Sequence, residues 1–377
     1  MIERVDRAAG TCLCAILVDD RAVDVTSVRA AEWEAMLEVA IEHRVHLLLA
    51  ERVDMREAWP CPDAIREKLC TARRRQSLID ECQVRELRDV LRRLAAADVH
   101  PLLIKGAALA HTCYRQSWLR PRADVDLLVR DVDVPAVRSV MEEAGYRRPS
   151  DVDGNRVTWQ FHYRKRCLPA FDYAYDFHRR ISEPEVFADL PSFEVLSAST
   201  VELPALGPHA RTPDDVHSLL IACVHRVAHH NDALDLIWLY DIHLLAQRLT
   251  RAMWDVLVAL AARTGTRAIC AHGLGQAAAA FGTDNVAIAV AALQRPSDEP
   301  TAEFIGGRLR QVDIQWSNMR RLKGVRPRLE LAWQHLFPTP GYMLAKYRLA
   351  HPIWLPAAYA HRIARGAVRW FRPLERL

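Results

Sequence analysis

Between residues 30 and 97 apolar side chains recur three and four positions apart, as in Trp33, Met36, Leu37, Ala40 and Ile41 and again in Leu87, Val90, Leu91 and Leu94. That spacing puts one stripe of a helix against a core and predicts a helical N-terminal region. The period breaks at His100-Pro101-Leu102-Leu103-Ile104, a short continuous apolar run closed by Lys105-Gly106 and followed by Ala107-Ala108-Leu109-Ala110. Strand, glycine turn and helix are predicted there. Across residues 123–129, Val125, Leu127 and Val129 alternate with Asp124, Asp126 and Leu128, so a strand would carry both aspartates on one face. Asp133-Val134-Pro135 reads as the cap and early-turn proline of a helix running to about Ala144, with Gly145 as its stop. Strands at 157–164 and 170–178 complete a β-α-β-α-β-β order. Thr212-Pro213-Asp214-Asp215 opens a second helical stretch, with Thr212 as cap, Pro213 at the first helical position and two acids in the first turn. The result is an α+β chain: a core with a small sheet at 98–205, a helical region at 1–97 and a helical domain at 206–377.

Composition narrows the class. The chain has 377 residues, 50% hydrophobic and 26% charged, with 14 Gly and 20 Pro. Those proportions exclude disordered and collagenous chains and suit two or three globular domains. The longest apolar stretches, such as 286–293, fall well short of the roughly 20 residues of a spanning helix. Met1-Ile2-Glu3-Arg4-Val5-Asp6-Arg7 mixes acids with bases ahead of no long apolar run, so a cytoplasmic protein with no transmembrane segment is expected. Nine scattered cysteines are then expected as reduced thiols. Cys12-x-Cys14 has no second pair at zinc-ribbon spacing and reads as buried positions.

The net charge of +4 hides an asymmetry. Residues 342–377 hold Lys346, Arg348, Arg362, Arg365, Arg369, Arg372 and Arg376 against Glu375, with Trp354, Trp370 and Phe371 interleaved. Such a basic amphipathic tail suits nucleic acid, a membrane surface or an acidic partner. The plainer expectation is a helical pair with its apolar stripe turned inward and its arginines outward.

Chemistry concentrates at Asp124-Val125-Asp126. Two carboxylates one residue apart on a strand face can converge on divalent cations, and oxygen ligands favour Mg²⁺ or Mn²⁺. Lys105-Gly106 stands at a strand-to-helix turn, where an anion can sit at a helix N-terminus. A phosphate site beside a metal site points to phosphoryl transfer. A neighbouring strand would supply a third acid, with Asp176 the candidate and Asp172 its rival on the same face; His178 faces the same way as Asp176. His225 and His229 have the i, i+4 spacing that can chelate a metal, but no Glu follows His225, and packed or hydrogen-bonded histidines are the expected reading. Asp131 and Asp133, ahead of Pro135, read as a helix cap.

Leu103-Ile104-Lys105-Gly106-Ala107-Ala108-Leu109, Tyr114, Arg120-Pro121-Arg122-Ala123-Asp124-Val125-Asp126-Leu127-Leu128-Val129, Gly145-Tyr146 and Asp176-Phe177-His178-Arg179 resemble the uncharacterised bacterial nucleotidyltransferase family of the polymerase-β-like superfamily. Pro213-Asp214-Asp215, His225, His229 and Trp238-Leu239-Tyr240-Asp241 resemble its helical region, so the likeness spans roughly residues 80–250. The resemblance implies a nucleotidyltransferase fold in which a mixed sheet presents Asp124, Asp126 and Asp176 as catalytic residues and ligands of Mg²⁺ (or Mn²⁺). It implies a nucleoside triphosphate such as ATP as donor, an acceptor hydroxyl that attacks the α-phosphorus, and pyrophosphate as leaving group. The wider superfamily has Gly-Ser where this chain has Lys105-Gly106; Lys105 either offers a point charge to the phosphates or pairs with an aspartate. Arg120, Arg122 and His178 join Lys105 and Gly106 as nucleotide-binding candidates, with a solvated loop the alternative for the arginines.

The acceptor is open among small molecule, peptide or protein, and RNA, with nucleic acid not favoured. Two other readings remain: metal-dependent transfer from a nucleotide-sugar to a peptide or natural product, and a non-catalytic scaffold that serves as an accessory or binding protein. Convergence of the three acids separates the catalytic readings from the last.

Overall fold

A computed structural model describes residues 2–18, 25–56, 58–148, 159–168, 171–283, 286–295 and 298–370. Helices α1 (Ile2–Leu17), α2 (Ala30–Glu42), α3 (His46–Met55) and the long α4 (Asp63–Ala96) precede β1 (Leu102–Ile104), α5 (Lys105–Thr112), β2 (Val125–Leu128), α6 (Val134–Glu143) and the hairpin of β3 (Gln160–Leu168) with β4 (Phe171–His178). Next come α7 (Phe193–Ser197), β5 (Thr200–Glu202), β6 (Arg211–Pro213), α8 (Asp215–His229), α9 (Leu236–Arg248), α10 (Arg251–Thr264), α11 (Arg267–Phe281) and α12 (Ala287–Leu293). The described chain closes with α13 (Gln311–Arg321), α14 (Val325–Leu336), α15 (Pro340–Lys346) and α16 (Leu355–Trp370).

The α+β class holds, with one six-stranded mixed sheet in the order β3-β4-β2-β1-β6-β5. β2 runs parallel to β4 and antiparallel to β1, while β6 runs parallel to β1. Alternation divides the side chains. Leu103, Val125, Leu127, Phe161, Tyr163, Tyr175 and Phe177 form one apolar face, covered by Leu87, Val90, Leu91 and Leu94 of α4 and Val137 and Met141 of α6. On the opposite face Leu102, Ile104 and Leu128 join the core built by α8 to α12, and the acids share this face. A third core packs α1 to α3 on the first turns of α9, through Leu236 to Tyr240. α9 therefore ties the N-terminal helices to the helices that cover the acidic face.

Several predicted boundaries move. Thr212 and Pro213 do not begin a helix: they end β6, pairing with Val201 and Thr200 of β5, and Asp214 caps α8 by accepting from the His217 amide at 2.9 Å. Strands β5 and β6 are additions to the expected elements, while α1 falls within the expected helical region at 1–97. β3 begins at Gln160, and the residues expected in strands at 157, 158 and 170 lie outside those described. The helix after Asp133 forms as predicted, but the Asp133 carboxylate binds Arg130 instead of capping it, and Asp131 pairs with Arg179. All nine cysteines are free thiols. In the tail, α15 and α16 form a pair, yet Trp354 and Ile353 stand exposed instead of turning inward. The Trp370 side chain and Phe371 lie outside the described residues.

Candidate active site

The strand β1 passes straight into α5 with no intervening loop. Lys105 takes the turn with φ of +56°, a left-handed conformation that an L-residue adopts at a cost of about 1 kcal/mol. Gly106 instead lies in the first helical turn, where an added Cβ would stand 3.5 Å from the Arg120 guanidinium. The bend throws the Lys105 side chain back over the acidic face of the sheet.

There it meets Asp126. Lys105 Nζ donates to Asp126 Oδ1 at 2.7 Å, and His178 Nε2 lies 2.7 Å from the same oxygen and 3.2 Å from Nζ. Asp126 and Asp176 are directly paired across the parallel strands β2 and β4, and His178 follows two positions later on the same face. On the far side, His162 of β3, opposite Asp176 in the hairpin, brings Nδ1 within 2.5 Å of Asp176 Oδ1. One ligand atom from each of Asp126, Asp176 and His178 lies within 4.8 Å of the other two. Asp124 stands just before β2, half-buried, with no hydrogen bond or ion pair from the described residues.

The electrostatics separate the acids. Burial would raise the Asp126 carboxyl, but the Lys105 charge and the bond from His178 hold it well below the usual carboxylate range. Asp124 is pushed up to about 6 by burial and then by the charges of Asp126 and Asp176, which outweigh Lys105 and Arg120. His178 is held below its ordinary value, first by burial and then by Lys105, so its ring is neutral near pH 7. Lys105 thus bonds Asp126 and His162 meets Asp176, while Asp124, raised chiefly by burial, has neither partner. The set of Asp126, Asp176 and His178, which does not include Asp124, fits a divalent cation: carboxylates suit Mg²⁺ and Mn²⁺, and the imidazole nitrogen widens the choice to other transition metals.

The predicted arginines are already engaged. Arg120, buried, donates Nε and Nη2 to Asp241 of α9 at 2.8 to 3.1 Å and Nη1 to the Pro121 carbonyl, while Tyr114 donates to Asp241 Oδ1 at 2.6 Å. Arg122 is buried in an ion pair with Asp80 of α4 at 2.8 Å. Asp172 pairs with Arg166 toward the other end of β4, which removes it as the rival of Asp176 within this cluster. A small pocket opens beside the cluster, with Lys105, Gly106, Arg120, Ser218, His225 and Trp238 in its wall. His225 and His229 face the site from α8. His225 Nε2 lies 3.0 Å from His230 Nε2, and His230 stacks on Trp238 at 3.9 Å between ring centroids. Burial, followed by the Lys105 charge, lowers both His225 and His229 far below their ordinary value.

Two features escaped the sequence reading. His162 becomes legible only from the hairpin register that sets it opposite Asp176. Asp241 was noted only within the motif resembling the family's helical region; its role was signalled by its being the lone acid of a largely apolar helix, since a buried carboxylate demands a partner, although nothing local points to Arg120.

The mixed sheet, its converging acids and the adjoining pocket define an α+β protein with a candidate metal site. Residues 29–282 match the family described as uncharacterised nucleotidyltransferase, and the chain belongs to that family. No curated protein matches it.

Proposed function

We propose that this protein transfers a nucleoside monophosphate from a nucleoside triphosphate to an acceptor hydroxyl in the cytoplasm, releasing pyrophosphate. The observation that carries this reading is the in-register pairing of Asp126 with Asp176, with His178 and Lys105 on the same face and a pocket alongside. Asp126 and Asp176, with Asp124 completing the set, would hold Mg²⁺ or Mn²⁺. A bound cation would supply positive charge to the phosphoryl oxygens in the transition state.

The chain's own groups have defined parts. Lys105, on a flexible stem, would be free to exchange Asp126 for a phosphate oxygen were a cation held by the carboxylates. Gly106 and the first turn of α5 offer backbone N–H groups to the triphosphate. Arg120 and Arg122 act from their ion pairs: Arg120, held by Asp241, shapes the pocket wall against Gly106, and Arg122 anchors the approach to β2 on α4. As the acceptor oxygen bonds to the α-phosphorus and the bond to the β-phosphate oxygen breaks, the hydroxyl proton passes to Asp176, whose orientation His162 fixes. His178 keeps Asp126 aimed at the centre. The acceptor is read as a peptide or small molecule, with a nucleic acid not favoured.

One observation favours a second reading. Lys105 already neutralises Asp126, as a scaffold that binds without catalysing would require. Calorimetric titration of the four ribonucleoside triphosphates, with and without Mg²⁺, separates the two. The transferase reading expects Mg²⁺-dependent binding of at least one triphosphate, weakened roughly tenfold or more in Asp126→Asn/Asp176→Asn. If no triphosphate binds and a nucleotide-sugar does, the donor is the sugar nucleotide. If neither binds, the scaffold reading replaces it.

A further inference from the structure

The segment carrying α13 to α16 is built unlike the rest of the molecule. Along α14, Val325, Leu329, Trp333 and Leu336 fall at successive helical turns and form one apolar stripe that faces solvent: the first three are 70%, 64% and 63% exposed. Leu331, on the other side of the helix, is buried. The helix therefore turns its larger apolar face outward, over a length of about 16 Å. Trp316, Ile353 and Trp354 add exposed apolar surface on the neighbouring elements. Charge accompanies the stripe. Between residues 314 and 366 the chain has one acid, Glu330, which is paired with Arg326, while Arg320, Arg321, Lys323, Arg326 and Arg328 are all exposed around α14. This segment also lies beyond the residues that match the family.

We infer that the α13–α16 segment docks the protein on an anionic phospholipid surface. The combination of groups selects that partner. Acyl chains accept Val325, Leu329 and Leu336, tryptophans settle at the headgroup level, and lysines and arginines meet anionic headgroups. A nucleic acid would satisfy the cations and could stack on the tryptophans, but it offers nothing to the aliphatic side chains. A second copy would set one cationic segment against another. Docking is peripheral, because no helix among the described residues is long and apolar enough to cross a membrane.

The test is flotation of the full-length protein with vesicles of phosphatidylcholine alone or with about 30% phosphatidylglycerol. Binding is expected only to the anionic vesicles, falling as salt rises from about 0.1 M to about 0.5 M. Brominated acyl chains in those vesicles should quench tryptophan emission. Leu329→Glu/Trp333→Glu should lower vesicle affinity at least tenfold, roughly the effect of withdrawing two apolar anchors, with an unchanged circular dichroism spectrum, as both side chains are exposed. Arg320→Ser/Arg321→Ser/Arg326→Ser should lose most of the preference for anionic over neutral vesicles. The inference is overturned by equal binding to both vesicle types, by full binding of the Leu329/Trp333 variant, or by no vesicle binding alongside tight binding of a single-stranded oligonucleotide. It is also overturned if light scattering shows a dimer that the Leu329/Trp333 variant dissolves. None of these outcomes depends on nucleotide binding.

Discussion

At the scale of the residue, Lys105 reconciles opposed demands. Its backbone takes a left-handed turn that glycine would adopt without strain, yet glycine could not carry an ammonium to Asp126. The single positive charge satisfies Asp126 and leaves Asp124 in excess. In the metal-free protein Asp124 keeps its proton up to about pH 6, whereas the unfolded chain releases it near pH 4. The folded state therefore holds that proton more tightly, and the associated stability is complete below about pH 4 and lost as pH rises through about 6. Asp124→Asn removes the penalty. In chelator the variant should exceed the wild type by up to about 3 kcal/mol at about pH 7.5, with the gain gone below about pH 4. Urea unfolding across pH measures this, and a pH-independent difference would show that the fold does not raise the Asp124 carboxyl.

At the scale of the element, what was readable in the sequence is what a strand or helix encodes by itself. Alternation told that Asp124 and Asp126 share one face of β2 and that Asp176 and His178 share one face of β4 with Asp172; only the expectation of a third acid and the resemblance joined the two strands, and the parallel pairing of β2 with β4 sets Asp126 beside Asp176. Features that depend on distant pairing were not readable. β6 is a strand because it lies parallel to β1, more than a hundred residues earlier, and Thr212-Pro213 resembles a helix start when read alone. The Arg120–Asp241 pair spans 121 residues and gives no local sign. The true cap of α8, Asp214, also accepts from the His217 ring and from Ser199 Oγ; these bonds outweigh burial and bring its carboxyl down to about 2. Asp214→Ala should destabilise the protein by about 1 to 2 kcal/mol. The urea midpoint should fall with no change in slope. An unaltered midpoint would mean that packing alone holds the end of α8.

At the scale of the whole molecule, three cores meet on two helices. α4 packs its N-terminal half with α2 and α3 and its C-terminal half under the sheet, and α9 joins the N-terminal helices to the helices over the acidic face. Asp241, buried on α9, then fixes Arg120 at the pocket wall. The regions flanking the sheet therefore build the site as well as enclose it, and the family match, 29–282, takes in α2 to α4 on one side and α8 to α11 on the other. The central claim is that the cluster under Lys105 is a metal–nucleotide site. It is tested most directly by a crystal structure grown with Mn²⁺ and a non-hydrolysable nucleoside triphosphate, with the metal located by anomalous scattering. The account predicts a manganese peak about 2.1 Å from carboxylate oxygens of Asp126 and Asp176, with Lys105 moved onto a phosphate. Saturating nucleotide and metal with no peak there, and the Lys105–Asp126 pair intact, would contradict it.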